Sequence, residues 1–156
     1  MRLRRLRRIF RLPAGDVWLL VVAQWWLARA ASEVRNRPSG RLLSEANPAG
    51  RSSAAPAMEA YDERQFALAR RLALAVERVA ENGPHRATCL VRSVALQHMM
   101  QRRGLVGSRI HIGVRIVEGD FLAHAWVEWR GEVLGDRAWH VGRFSPLADV
   151  AVASGR

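Results

Sequence analysis

The feature that most limits what this chain can fold into is a change of hydrophobic period near Gly104. Before it, apolar residues recur at helical spacing. Between Glu59 and Asn82, Phe66, Ala69, Ala73, Val76 and Ala80 form one stripe with Leu72 and Val79 beside it, while Arg70, Arg71, Glu77 and Arg78 fall mostly off it. Gly83-Pro84 stops that helix. From Thr88 to Arg103, two adjoining rows (Leu90, Val94, His98 and Val91, Ala95, Met99) predict a largely buried helix closed by Gly104. Beyond Gly104 the period falls to two: Ile110, Ile112, Val114 and Ile116 alternate with Arg109, His111, Gly113 and Arg115. Glu118-Gly119-Asp120 supplies a turn, Phe121 to Trp129 a second strand, Arg130-Gly131-Glu132 another turn, and Val133 to about Arg137 a short third strand. Helices followed by an antiparallel meander make the expected class α+β, with N-terminal helices packed on a small antiparallel sheet.

The first part of the chain is organised differently. Arg2, Arg4, Arg5, Arg7, Arg8 and Arg11 precede an apolar run from Val17 to Leu27, and Ala28-Arg29-Ala30 mimics a signal-peptidase site. Asp16 abuts the run, Gln24 and Trp25-Trp26 interrupt it, and Arg29 sits inside the supposed cleavage site. A core helix from about Ala14 to Ala31, with a basic lead-in able to make peripheral contact with a membrane, is preferred over a cleaved signal. The run is also shorter than the roughly 18 apolar residues of a membrane span. Residues 38–56 are rich in Pro, Ser, Gly, Ala and Asn and read as an exposed linker. The expected division is therefore a basic N-terminal helix and flexible linker, 1–58, ahead of a core, 59–156, in a single domain; 156 residues suffice for one buried core.

Charge and cysteine usage narrow the partners and setting. All 25 basic residues are Arg, the usage expected of a GC-rich bacterial genome, and the formal net charge is +11. A nucleic-acid module would need a basic face interleaved with aromatics or a recognition helix. Here only residues 2–11 are densely basic, so no nucleic acid is expected as partner. The single cysteine forbids an intrachain disulfide and a zinc site on paired thiolates, so a reducing cytoplasm is the expected setting, with no metal and no cofactor.

That cysteine, Cys89, falls at the predicted first turn of the third helix. Free N–H groups and the positive end of the helix dipole favour a nucleophilic thiolate there and offer donors to an oxyanion. A structural cysteine is as common a reading of a lone Cys. His124 and Asp136 sit on consecutive predicted strands, an even number of residues apart. If paired residues across the hairpin have an even sum, the two share one face; an odd sum would separate them. On one face, Asp136 would orient the imidazole and leave its other nitrogen for the thiol. Trp126 and Glu128 share the His124 face and are candidates to line a substrate groove, as is His85 in the loop before Cys89. Among the other histidines, His98 reads as a satisfied core residue, His111 as facing away from the apolar row, and His140 as lying in an irregular stretch where a wall of the cleft is an unsupported option.

Several blocks resemble a known family: Ala87-Thr88-Cys89-Leu90-Val91-Arg92-Ser93-Val94-Ala95-Leu96, Arg102-Arg103-Gly104, Ile112-Gly113-Val114, Ala123-His124-Ala125-Trp126-Val127-Glu128 and Gly135-Asp136. In this order they are similar to the transglutaminase-like leader peptidase of lasso-peptide biosynthesis, the lasso B protein, over roughly Phe66 to Pro146. The resemblance implies a papain-like or transglutaminase-like cysteine-protease fold, with Cys89 as nucleophile, His124 as base and Asp136 as orienting acid. It also implies a lasso precursor peptide as substrate and an asparagine-synthetase-like macrolactam cyclase as partner. Some members carry a fused leader-recognition domain; residues 1–58 show no strand pattern, so a peptidase-only form with a separate leader-recognition protein is expected. Transglutaminase- or acetyltransferase-like acyl transfer uses the same three residue types and stays open. A basic nucleic-acid or membrane-binding module is the rival from another class.

Overall fold

Both periods read from the sequence become secondary structure. The computed structural model describes residues 14–36, 62–83 and 87–147. Three long helices come first: α1 (Ala14–Asn36), α2 (Glu63–Asn82) and α3 (Cys89–Arg102). They are followed by strands β1 (Arg109–Val117), β2 (Asp120–Trp129) and β3 (Glu132–Leu134), one helical turn α4 (Ala138–Val141), and a short strand β4 (Ser145–Pro146). The expected linker, the arginine-rich lead-in and His85 lie outside the described residues.

The helices form where side chains can cap and bury them. The Asp62 carboxylate accepts from the Arg64 N–H at 3.0 Å and starts α2, whose stripe of Phe66, Ala69, Leu72, Ala73, Val76, Val79 and Ala80 is buried as its spacing predicts. Thr88 caps α3, its hydroxyl accepting from the Val91 N–H. At the other end Gly104 takes φ +74°, and N–H groups of Gly104 and Leu105 return to the carbonyls of Gln101 and Met100. That left-handed closure favours glycine, and buried Leu105 covers buried Met100 across it. Helix α1 runs five residues past the expected end at Ala31. Its last turn is held by Glu33, which pairs with Arg29 at 3.1 Å and accepts from His98 Nε2 at 3.0 Å.

The sheet order is β3-β2-β1-β4, all neighbours antiparallel. Two-residue loops make both hairpins, Glu118-Gly119 (φ 53° and 91°) and Arg130-Gly131 (φ 52° and 80°). Paired positive φ values match the right-handed twist of the flanking strands. One sheet face, with Ile110, Ala125, Val127, Trp129 and Leu134, joins the same core as Leu19, Ala23, Trp26 and Leu27 of α1 and the buried faces of α2 and α3. Trp129 is about 1% exposed, packs on Phe66 and donates its indole N–H to the Val106 carbonyl at 2.8 Å. The opposite face carries a smaller cluster of Trp126, Val141 and Phe144.

Two expectations need correction. The third strand ends at Leu134 instead of reaching Arg137, because Gly135 adopts φ +74°. The hairpin pairs Val127 with Leu134, Glu128 with Val133 and Trp129 with Glu132, so the sum of paired residue numbers is odd. A two-residue loop requires this, whereas the even sum assumed a three-residue turn. The sequence also missed β4, which pairs with β1 through Gly113–Pro146 and Val114–Ser145 and brings Phe144 over Gly113. A methyl group at Gly113 would lie 2.6 Å from the Phe144 Cβ and 3.0 Å from the Trp126 ring.

Candidate active site

Cys89 is the first residue of α3, placed there by the Thr88 cap that precedes it. It is half-buried and packs against the core. Its approach is tied down by Arg92, whose Nε donates to the Ala87 carbonyl at 3.1 Å. The N–H of a residue at the first helical position has no acceptor within its own helix. The thiol therefore shares its end of α3 with backbone donors and the positive end of the helix dipole.

His124 lies on β2 directly opposite Gly113. Its ring is walled by Trp126 (ring centroids 6.3 Å apart, stacked), Phe144 (5.1 Å) and His140 (4.9 Å). Only about 18% of its side chain is exposed. Nε2–H donates to Asp136 Oδ2 at 2.5 Å. The other ring nitrogen, Nδ1, is left to exchange a proton with a neighbouring group.

Asp136 reaches His124 although strand parity argues against it. Had β3 continued in its observed register, position 136 would have faced Ala125 across the ladder, on the side away from His124. Gly135, in the left-handed region, ends the strand and breaks the alternation one residue earlier. The chain then turns into α4, and the carboxylate is held from three directions. The Arg137 N–H donates to Oδ1 at 2.6 Å, His140 Nδ1–H donates to Oδ1 at 3.1 Å, and His124 occupies Oδ2. Burial pushes the Asp136 carboxyl up, but the hydrogen bonds from Arg137, His124 and His140 and the nearby His124 charge outweigh it, holding the group below its ordinary 3.8.

Cys89, His124 and Asp136 line one cavity of about 260 Å³ between α2, α3 and the β2–β3 end of the sheet. Ser93, Leu96 and Trp126 are among its other walls, and Glu77 and Arg92 add one charge of each sign. Trp126 is therefore part of the cavity wall. Glu128 shares the His124 face but stands outside this lining, 3.6 Å from His111 Nε2. His98, half-buried at the edge of the core, stacks on Trp26 at 5.0 Å besides its bond to Glu33, a structural role. What sequence reasoning missed is the bond of His140 to Asp136. Its signal was the spacing Asp136-x-x-x-His140, which places both on one side of a helical turn, but α4 itself was not foreseen.

The arrangement combines a thiol at a helix N-terminus, an oriented imidazole and a carboxylate kept ionised, which are the parts of nucleophilic catalysis on a carbonyl. His124, Asp136 and His140 also offer ligand atoms within 4.8 Å of one another, the one group among the described residues that could hold a metal ion. Their facing atoms are engaged in the hydrogen bonds just described. Among the described residues, no helix is long and apolar enough to cross a membrane.

No curated protein and no solved structure matches the chain significantly. A family model does: the model described as the transglutaminase-like superfamily matches residues 17–149, from the first turn of α1 through the cavity to β4. With that match over most of its length, the chain belongs to the transglutaminase-like superfamily, which includes cysteine peptidases and acyl transferases.

Proposed function

We propose that this chain is a cysteine endopeptidase that removes the leader segment from a lasso-peptide precursor, with Cys89, His124 and Asp136 as its catalytic residues. The observation that carries the chemistry is the His124 Nε2–H bond to Asp136, which leaves Nδ1 as the free base in a cavity that also contains the Cys89 thiol. Nδ1 of His124 takes the Cys89 thiol proton, and Sγ attacks the carbonyl at the leader–core junction to form an S–C bond and a tetrahedral intermediate, from which the C–N bond breaks. Protonated His124 gives its proton to the leaving amine. Water, deprotonated by His124, then hydrolyses the thioester and restores the thiol. The backbone N–H of Cys89 is one donor to the oxyanion.

The substrate assignment rests on the sequence blocks around Cys89 and His124, which resemble those of lasso leader peptidases. In this reading the enzyme works in the bacterial cytoplasm without a cofactor. A separate leader-recognition protein delivers the precursor, and an asparagine-synthetase-like cyclase closes the ring on the freed amine.

Mass spectrometry of the lasso precursor encoded beside this gene, incubated with the protein and the encoded recognition partner, tests the proposal. A single cut at the leader–core junction, absent with Cys89→Ala, is the expected result. An intact precursor, with the partner shown to bind leader, overturns the lasso assignment. A product carrying an added amine in place of water points to acyl transfer.

A further inference from the structure

Strand β2 has ten residues, and its outer neighbour β3 has three. β3 pairs only with Val127, Glu128 and Trp129, so among the described residues the β2 edge from Asp120 to Trp126 has no strand beside it. The loops fix which groups that edge presents. The pair flanking a two-residue loop closes it with its own hydrogen bonds, so Trp129 directs its N–H and C=O at β3 and Asp120 directs its own at β1. These directions alternate along a strand, and both hairpins give the same answer: Phe121, Ala123 and Ala125 aim their backbone groups outward, away from β1. Among the described residues, no other backbone hydrogen bond reaches these three.

The bare edge runs into the cavity. His124, Ala125, Trp126 and Val127 all line it. Consecutive strand residues point to opposite faces, so a cavity that meets four in a row meets the strand edge-on. Gly135 and Asp136 turn away where β3 would have continued, and Cys89 shares the opening they leave. Farther along, Phe121 is 68% and Leu122 40% exposed, one on each face of the sheet. Open strand edges are normally blunted by proline, charge or a bulge. From Phe121 to Ala125 this edge has no proline, no acid and no arginine, and its register with β1 is unbroken.

We propose that the polypeptide that acylates Cys89 lies as an extended strand along this edge, its backbone pairing with Ala125, Ala123 and Phe121. The occupant is the substrate because edge and thiol open on one cavity. The part held is the segment N-terminal to the attacked carbonyl, which stays bonded to Sγ in the thioester while the other part leaves. Ala125 to Phe121 spans about 13 Å at ~3.3 Å per residue, enough to pair with about four substrate residues. Backbone pairing supplies affinity with little regard to sequence, and exposed Phe121 and Leu122 favour apolar side chains at the far end. The inference rests on Cys89 as the nucleophile of the proposed reaction, and not on a lasso precursor as the peptide.

The test uses the full chain and a chloromethyl ketone of an acetylated tetrapeptide of alanine and valine, which alkylates Cys89 Sγ with loss of chloride. The same reagent built on a single acetylated alanine labels the thiol without reaching the edge. Residue-resolved hydrogen exchange by NMR should show the amides of Phe121 and Ala123 slowed about tenfold or more in the tetrapeptide adduct relative to the single-residue adduct, as expected for a gained hydrogen bond. Methylating alternate backbone nitrogens of the tetrapeptide should slow alkylation by about tenfold in one phase of the alternation and little in the other, because only every second substrate N–H faces β2. An adduct with no protection at Phe121 and Ala123, equal protection by the single-residue reagent, or indifference to methylation overturns the proposal. Alkylation needs only the thiol, so protection at the edge beside an uncut precursor would sink the peptidase reading alone.

Discussion

Asp136 accepts three hydrogen bonds with two oxygens, and this sets what that position tolerates. Arg137 N–H and His140 Nδ1–H share Oδ1, and His124 takes Oδ2. An asparagine would turn one of these acceptors into a donor facing a donor, so Asp136→Asn cannot keep all three bonds. We expect Asp136→Asn to lower kcat/KM for precursor cleavage by about 10²–10⁴ through loss of the correct His124 tautomer, measured by steady-state kinetics. His140 is a positioning residue acting through Asp136. Removing its hydrogen bond to a charged group forfeits about 1.5–3 kcal/mol of interaction. His140→Ala should therefore move the acid limb of the pH–kcat/KM profile to higher pH, because the Asp136 carboxyl then ionises less readily. A mere packing role would lower the rate without moving that limb.

The same carboxylate makes stability depend on pH. Its folded pKa lies below the ordinary 3.8, so its stabilising contribution is fully present above that value and is lost as pH falls through the folded pKa. Urea midpoints at pH 7 and near pH 3 check this. The stability difference between the unaltered protein and Asp136→Asn should shrink at the lower pH. At this scale, the candidate residues Cys89, His124 and Asp136 were legible because each carries chemistry in its type and local context. His140 was not, because its importance depends on a helical turn that has too few residues to show a period.

Among the elements, α2, α3, β1 and β2 were legible because each runs long enough for its hydrophobic period to repeat several times. The β3 end was not. A strand of three residues shows almost no alternation, and its register is set by the length of the preceding loop, so miscounting one turn residue inverts every face assignment. His124 and Asp136 nevertheless meet, through the left-handed backbone at Gly135 and not through strand parity. Gly135→Ala tests that account. An L-residue at φ +74° costs about 1–2 kcal/mol, and relaxing that strain would move Asp136 away from His124. The expected result is a modest fall in the denaturation midpoint with a disproportionate loss of kcat, while Gly131→Ala, at φ +80° in a turn outside the cavity lining, should lose similar stability with kcat largely kept.

For the whole molecule, the three helices share one core with one face of the sheet, and α1 is part of it. Trp26 packs beneath His98 and is about 8% exposed. Trp26→Ala should cost about 3–5 kcal/mol in a urea or thermal melt, the usual penalty for emptying an aromatic core site. By contrast Trp18→Ala, on the bare face of the same helix, should change stability by no more than about 0.5 kcal/mol. The contrast separates the side of α1 that holds the fold from its exposed side.

By itself the sequence determined the helices-then-sheet order, the buried stripes of α2 and α3, and the candidate residues Cys89, His124 and Asp136, because period, caps and side-chain chemistry are local properties. Tertiary structure decided the fourth strand, the inward and outward sides of α1, the turn that carries His140, and the path by which Asp136 reaches His124. Each of those depends on which distant segment supplies the opposing surface or closes the backbone turn, and a helix apolar on nearly every side, such as α1, does not record which side the core will take.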